Sequence, residues 1–345
     1  MKPISSEERE KIYKLHKIYS SDMPDFIKEL VETKEMQRIK LVGQNCGRDY
    51  ISESMQEFKY NYSRLDHSIG VGLIVWHFTK DAKQSISALF HDIATPTFSH
   101  VIDYYNNDEA RQTSTEKGTT RIIRNSLEIN KILEKYDIKV EDVLDYSRYP
   151  IADNNTPKLS ADRLEYNAYM GTTRGLISFD EMLQIYNDII IVKNEDNVDE
   201  MCFQNLELAK KMTKVALENG EYMSGGISTI TNKLLSDILK IAVLRGIITP
   251  RMFYECNEEE LIEILENAEE NNIKQLWNKF KKFDKICTSK RETLGGYSVQ
   301  SKAKKRYIDP LVIVNGKIAR ITNIDPILRR KINNFIEPED LYFEI

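Results

Sequence analysis

Apolar residues recur at intervals of three and four along most of the chain, the spacing that puts them on one face of a helix. A short charged helix is expected over residues 7–17. A longer amphipathic one is expected over 25–42, where Phe26, Leu30, Met36 and Ile39 share a side. Residues 43–47 (GQNCG) read as a glycine-bracketed turn, and 48–63 as a polar loop or short hairpin. Residues 64–80 (RLDHSIGVGLIVWHFTK) form a helix with His67, Val71, Ile74 and Val75 on one face. Its Gly70 and Gly72 make sense where another helix or a ligand comes close, and otherwise only weaken the helix. The next helix, 82–93, runs into His91-Asp92 before Pro96 breaks it.

Helical spacing resumes at 98–105, 116–125 and 129–136. It returns at 160–170 behind a capping serine, and in long runs at 203–218 and 227–245. An acidic helix opened by Asn257 and a basic one at 273–283 follow. Only two regions change period. Ile189 to Val192 is a β-branched run, and residues 298–306 and 311–321 alternate polar and apolar around Asn315-Gly316, a strong hairpin signal. The fold class expected is mainly α: a helical body, additional C-terminal helices and a small β-containing tail.

At 345 residues, with 41% hydrophobic and 30% charged positions, the chain can bury a large core. No apolar run approaches the roughly 20 residues of a membrane helix, and the N-terminus lacks a signal-like apolar core. Four scattered cysteines form no CxxC pair, which fits a reducing compartment. A cytoplasmic protein without a membrane partner is therefore expected. Charge is uneven: residues 271–345 carry 16 Lys+Arg against 8 Asp+Glu, net +8, so residues 1–270 carry −13 of the total −5. This suggests a body over 1–270 and a basic, partly β segment over 271–345. The segment would serve an anionic partner or a subunit interface, or be a solvated surface balanced by the acidic body.

The chemistry concentrates in few residues, since the chain has only five histidines. His67, His91, Asp92 and Asp162 sit on three separate expected helices, each near an apolar face. Burying such groups costs several kcal/mol unless they are paired, and a divalent ion pairs with imidazole and carboxylate alike. Two imidazoles with two carboxylates suit Mn²⁺, Fe²⁺, Mg²⁺, Co²⁺ or Ni²⁺ better than zinc, whose closed sites prefer thiolates. The alternative for His91-Asp92 is an inert, hydrogen-bonded helix cap.

The order H…HD…D with these flanks resembles the HD-domain phosphohydrolase superfamily, and within it the deoxynucleoside triphosphate triphosphohydrolases that include the bacterial dGTPases. Residues 64–72 (RLDHSIGVG) resemble the family's R-F-x-H-S-x-G-V. His91-Asp92 with Phe98-Ser99-His100 resembles H-D-x-x-H-x-P-F-S-H, and residues 160–166 (SADRLEY) resemble D-[KR]-x-[DE]-Y. Gln37-Arg38 through Gln44 is similar to an N-terminal Q-R-L…Q segment. The likeness covers residues 33–265, with the metal-site core over 33–175.

The resemblance implies an HD-domain helical bundle and a metal-dependent hydrolase acting on nucleotides. Arg64 would grip a phosphate beside the metal, Arg163 and Tyr166 would contact phosphate and sugar, and Gln44 would face the sugar. Two family histidines associated with proton transfer are Thr95 and Thr115 here, and a family aspartate is Met170. Threonine has no pKa suited to acid catalysis near neutrality. His100, Asp103 and Glu116 are left as the candidates for proton handling. The leading expectation is a triphosphohydrolase-like enzyme. A 5′-nucleotidase or phosphodiesterase and a nucleotide-binding regulatory protein are the alternatives. Homo-oligomerisation, as in related enzymes, is the expected use of the basic tail; nucleic acid is a weaker candidate.

Overall fold

The computed structural model describes residues 3–112, 114, 118–292, 296–300, 302–337 and 341–345. The architecture is mainly α, as expected. At its centre is the helix Arg64–Thr79, buried on nearly every side. Ser63 and Asp66 open it with a reciprocal capping box, which satisfies two of the free N–H groups at its start. Lys80 closes it in a left-handed conformation. The two glycines are contact points. A Cβ on Gly72 would stand 3.3 Å from the Ser85 carbonyl oxygen of the helix Ala82–Leu89, and one on Gly70 would stand 2.7 Å from Glu165 of the helix Ala161–Arg174. Glycine thus draws two neighbours onto the central helix.

The helix expected over 25–42 is two helices, Asp25–Val31 and Lys34–Ile39. The Thr33 hydroxyl donates to the Leu30 carbonyl (2.7 Å), and the Gln37 amide takes the Val31 carbonyl (2.8 Å). Side chains thereby replace the next helical bonds and the chain turns. Likewise the helix expected over 82–93 stops at Leu89, where the His91 ring takes the place of a continuing turn by donating to the Ala88 carbonyl (2.7 Å). The segment 93–99 is then irregular, with Phe98 and Ser99 both left-handed (φ 63° and 52°). Such conformations are costly away from glycine and persist only where the surroundings impose them. Here Phe98 is fully buried, and the Ser99 hydroxyl donates to the Gly43 carbonyl (3.1 Å).

The two regions read as β are strands. Ile189–Lys193 pairs antiparallel with Asp199–Phe203. Leu311–Val314 and Lys317–Arg320 form the expected hairpin, with Asn315 and Gly316 both at positive φ. Leu311–Val314 also pairs parallel with Asp199–Phe203, so one four-stranded sheet joins the basic tail to the body. Ile308, Val312, Ile321 and Leu328 of the tail share a buried cluster with Leu73 and Leu164. Among the described residues of 298–306 only Ser298–Gln300 is a strand, pairing with Tyr342–Glu344. No helix among the described residues is long and apolar enough to cross a membrane.

Candidate metal centre

Four side chains from three stretches of chain meet at one point. His67 Nε2 stands 3.1 Å from His91 Nε2 and 3.1 Å from Asp162 Oδ1, and that oxygen is 3.7 Å from His91 Nε2. Asp92 Oδ2 lies 3.9 Å and 3.7 Å from the two imidazole nitrogens. An ion held at roughly 2.1 Å from each ligand separates neighbouring donors by about 3 Å and opposed donors by about 4 Å. His67, His91 and Asp162 therefore sit at the spacing of one coordination shell, with Asp92 beside the two imidazoles and paired with Arg64.

Hydrogen bonds on the far side of each ring decide which nitrogen faces the centre. His91 Nδ1 donates to the Ala88 carbonyl, so its Nε2 lone pair points inward. His67 Nδ1 is bonded to the Glu165 carboxylate, which orients its Nε2 the same way. Two lone pairs and two carboxylates facing one another in a buried space require positive charge between them. The titration of His67 shows this demand: burial disfavours its cation, yet Glu165 and Asp162 outweigh burial and push the pKa up to about 10. Burial also opposes the charge of Asp92, but Arg64, His91 and His67 hold its carboxyl far below the usual range. Asp162 is held down in the same sense against burial, chiefly by His67. The chemistry of this donor set, two imidazoles and carboxylate, fits a divalent cation.

The residues around the four candidate ligands fix them. Arg64 Nη1 donates to Asp92 Oδ2 (2.7 Å) and Arg64 Nε to the Ser99 hydroxyl (3.0 Å). Arg64 therefore pairs with neither Asp66, which caps its own helix, nor Glu57, which pairs with Arg174. The Thr95 hydroxyl donates to Asp92 Oδ1 (2.9 Å), and Arg38 Nη2 holds the carbonyls of Ile93 and Thr95 (2.9 and 2.8 Å). Glu165 is fully buried and also accepts from the Tyr62 hydroxyl (2.6 Å). It sits in the SADRLEY stretch, three residues after Asp162 and hence on the same helix face, a spacing that could have revealed it from sequence.

The centre opens into a cavity of about 190 Å³. Gln44, Arg64, His100, Arg163 and Tyr166 all line it. Arg163, however, is committed to the loop before its helix, donating to Lys158 O (2.7 Å), to Asn154 and to Asp153 (3.2 Å). His100 Nδ1 donates to Asp103 Oδ2 (2.9 Å), and Asp103 Oδ1 accepts from the Ser114 amide (2.9 Å). Burial, which outweighs Asp103, lowers the His100 pKa to about 4, so the ring is neutral near pH 7, with Nε2 an acceptor that Arg306 Nη2 approaches to 3.5 Å. Asp103 is fully buried and reaches the cavity only through His100. Thr115 and Glu116 lie outside the described residues. Met170, where the family has an aspartate, is buried at the cavity wall.

Further wall residues were not placed here by sequence reasoning, which read Lys304 and Arg306 only as basic-tail groups able to contact phosphates. Arg48 and Asn232 come from the polar loop and the helix Gly226–Leu244, and Lys304 and Arg306 from the basic tail. Arg48 Nε, Gln44 Oε1 and Asn232 Oδ1 are buried without a hydrogen-bond partner, beside the apolar Phe58, Met170 and Met223.

Comparison with known proteins gives distant relatives. Uncharacterized protein YdhJ of Bacillus subtilis (strain 168) is 24% identical over 306 residues, covering 88% of this chain and 89% of that protein. The metal-dependent phosphohydrolase cns2 of Cordyceps militaris is 24% identical over 161 residues, 47% of this chain and 45% of that protein. Among solved structures, a phosphohydrolase from Bacteroides thetaiotaomicron VPI-5482 matches with a TM-score of 0.67 at 12% identity, over 94% of this chain and 96% of that one. A hypothetical protein from Aquifex aeolicus matches at 0.64 and 17% identity, over 94% and 93%. No family model matches the chain. The mainly-α fold of those two structures is the fold of this chain.

Proposed function

We propose that the chain is a metal-dependent phosphohydrolase of the HD-domain superfamily and that its substrate is a nucleotide, with a deoxynucleoside triphosphate as the leading candidate. One observation carries the hydrolase reading: the two inward-facing imidazole nitrogens of His67 and His91 and the Asp162 carboxylate at coordination spacing, with Asp92 beside them, in the lining of one cavity. The names of a distant relative and a fold neighbour support the same class.

His67, His91, Asp92 and Asp162 would hold the ion. Bound there, a divalent ion polarises a phosphoryl oxygen and lowers the pKa of water. The chain's own residues do the rest. Arg64 and Thr95 keep Asp92 ionised and aimed, and Glu165 orients His67. Neutral His100, held by Asp103, accepts at Nε2 the proton of the water that attacks phosphorus. The P–O bond to the leaving group breaks, and the proton passes to the departing oxygen.

The nucleotide reading draws on other residues of the same cavity lining. Gln44 Oε1, Asn232 Oδ1 and Arg48 Nε are orphaned polar atoms of a cavity also lined by Phe58, Met170 and Met223, a mixture of polar and apolar groups that suits a sugar and base. A second reading, a phosphomonoesterase or phosphodiesterase at the same centre, is favoured by Thr95, whose hydroxyl is spent on Asp92 where the triphosphohydrolases place an acid.

Incubation with Mn²⁺ and a panel of dNTPs, NTPs and monophosphates, with the phosphate products resolved, separates these readings. Inorganic triphosphate from a dNTP supports the first and orthophosphate from a monophosphate the second. Absence of any product, from protein shown to bind the metal, overturns both and leaves a nucleotide-binding regulatory protein. Asp92→Ala is the control that abolishes genuine turnover.

A further inference from the structure

The extended segment after residue 301 enters the cavity from the C-terminal quarter of the chain. Its side chains alternate. Lys304 and Arg306 line the metal cavity, whereas Lys305 lies over the Phe335 ring (4.7 Å), on the helix Pro326–Ile336. The register is set by a backbone contact. A Cβ at Gly220, in the helix Leu206–Ser224, would stand 2.1 Å from the Arg306 carbonyl oxygen, so only glycine lets the segment lie this close.

Arg306 has unusual company for a half-buried guanidinium. Its Nη2 donates to Gln112 Oε1 (2.5 Å) and lies 3.5 Å from His100 Nε2, and the group stands 5.8 Å from the centre of the Tyr166 ring. All three partners are neutral. Arg64 and Arg163 in the same cavity are paired with Asp92 and Asp153, but among the described residues no carboxylate lies within 4.0 Å of Arg306 or Lys304. The cavity wall holds five Lys and Arg against three Asp before any metal is counted. A guanidinium in that state presents a planar fork of donors matched to a phosphate and lacks only the anion.

We propose that Arg306 is the phosphate-binding residue of this cavity, with Lys304 at its rim, and that in the free protein Arg306 covers His100 Nε2 until a ligand phosphate draws it away. The proposal rests on the hydrolase reading only for the identity of the reaction. The ligand it implies carries more than one phosphate, because a single phosphate at the metal would leave the positive charge of Arg306 and Lys304 unmatched. Uncovering His100 and gripping the phosphate are then one movement, and a ligand without phosphate leaves the proton acceptor blocked.

Calorimetric titration of the full chain with inorganic phosphate, pyrophosphate and tripolyphosphate tests this without turnover, with and without Mn²⁺. Affinity is expected to rise along that series. Arg306→Gln should weaken tripolyphosphate at least tenfold, and Arg306→Lys should restore part of the loss. Gly220→Ala, which pushes the segment off its helix while keeping every charge, should weaken it comparably, with folding checked by circular dichroism. The His100 imidazole NMR signals should move on adding pyrophosphate to the parent. Parent-like tripolyphosphate affinity in folded Arg306→Gln overturns the proposal. Arginine-dependent binding without hydrolysis of any nucleotide would sink the hydrolase reading and leave Arg306 in place, whereas hydrolysis with an unchanged KM in Arg306→Gln would do the reverse.

Discussion

The Thr95 hydroxyl donates to Asp92 Oδ1 at 2.9 Å, on the side of the carboxylate opposite Arg64. In the related motif this position carries a histidine associated with proton transfer. Here it is fully enclosed and its hydrogen bond is spent on a candidate metal ligand. The Thr95 hydroxyl therefore bears on the geometry of the centre through Asp92. Thr95→Val keeps the shape and removes the donor. A hydrogen bond to a buried charge contributes about 1.5–3 kcal/mol, and loss of a partner that orients a ligand typically weakens metal binding about 10–100-fold. Thr95→Val should show both, in thermal melts and in Mn²⁺ titration, and Thr95→Ser should show neither. Parent-like metal affinity in Thr95→Val would mean that the hydroxyl does not orient Asp92.

Glu165 acts on His67 as Thr95 acts on Asp92, but with a charge. Glu165→Gln retains the size and replaces the carboxylate that faces His67 Nδ1 and the Tyr62 hydroxyl. Metal affinity should fall by about one to two orders of magnitude while the fold persists. Gly70→Ala should produce the same loss from a distance, because its new methyl would stand 2.7 Å from the Glu165 side chain. The two changes act through one contact and should be less than additive in a double-mutant cycle. Full additivity in the Mn²⁺ titration would separate them.

The helical body and the convergence of the four candidate residues were legible because local signals mark them: three- and four-residue spacing, Ser63 and Ser160 as caps, and an HD pair at a helix end. The split at Thr33 and the early stop at Leu89 were not, because in both cases a side chain competes with the helix for a carbonyl that periodicity does not register. The polar loop after residue 47 hid Arg48, since burial of an arginine against Phe58 and Tyr222 is a tertiary outcome. The segment bearing Arg306 lies some 140 residues beyond Asp162 and has no periodicity that predicts where it docks. Its sequence marks are a polar/apolar alternation, which is realised as strand only at Ser298–Gln300 among the described residues, and an excess of positive charge, which says that an anion is welcome but not where.

His100 gives a pH signature that does not depend on metal. Burial outweighs Asp103 and lowers its pKa to about 4, against 6.5 for an ordinary histidine. Between those values the unfolded chain binds a proton that the folded protein refuses. Stability therefore falls as pH drops from about 6.5 to 4. His100→Asn removes this contribution and should flatten that part of the profile, measured by urea unfolding at a series of pH values. If catalysis uses the neutral ring as an acceptor, kcat in the variant should fall by about 10²–10⁴-fold. An unchanged slope in the variant would place the acid sensitivity elsewhere.

Metal removal should be the most informative single perturbation of stability. Without an ion, His67 meets the demand for positive charge by keeping a proton to about pH 10. A divalent ion displaces that proton, so binding releases protons and tightens with rising pH below that value. In the apoprotein the raised pKa stabilises the fold fully below 6.5, and that contribution fades as pH climbs towards 10. The increment from Mn²⁺ should therefore grow across the same window. At one hundred times Kd an ion that binds only the folded state adds roughly 2.7 kcal/mol, and chelation should remove it reversibly. In Asp162→Ala the oxygen 3.1 Å from His67 Nε2 is gone. The variant should fold, melt near the parent apoprotein, and gain little from Mn²⁺ at any pH. A parent-sized gain in Asp162→Ala would mean that the ion binds somewhere other than among these four residues.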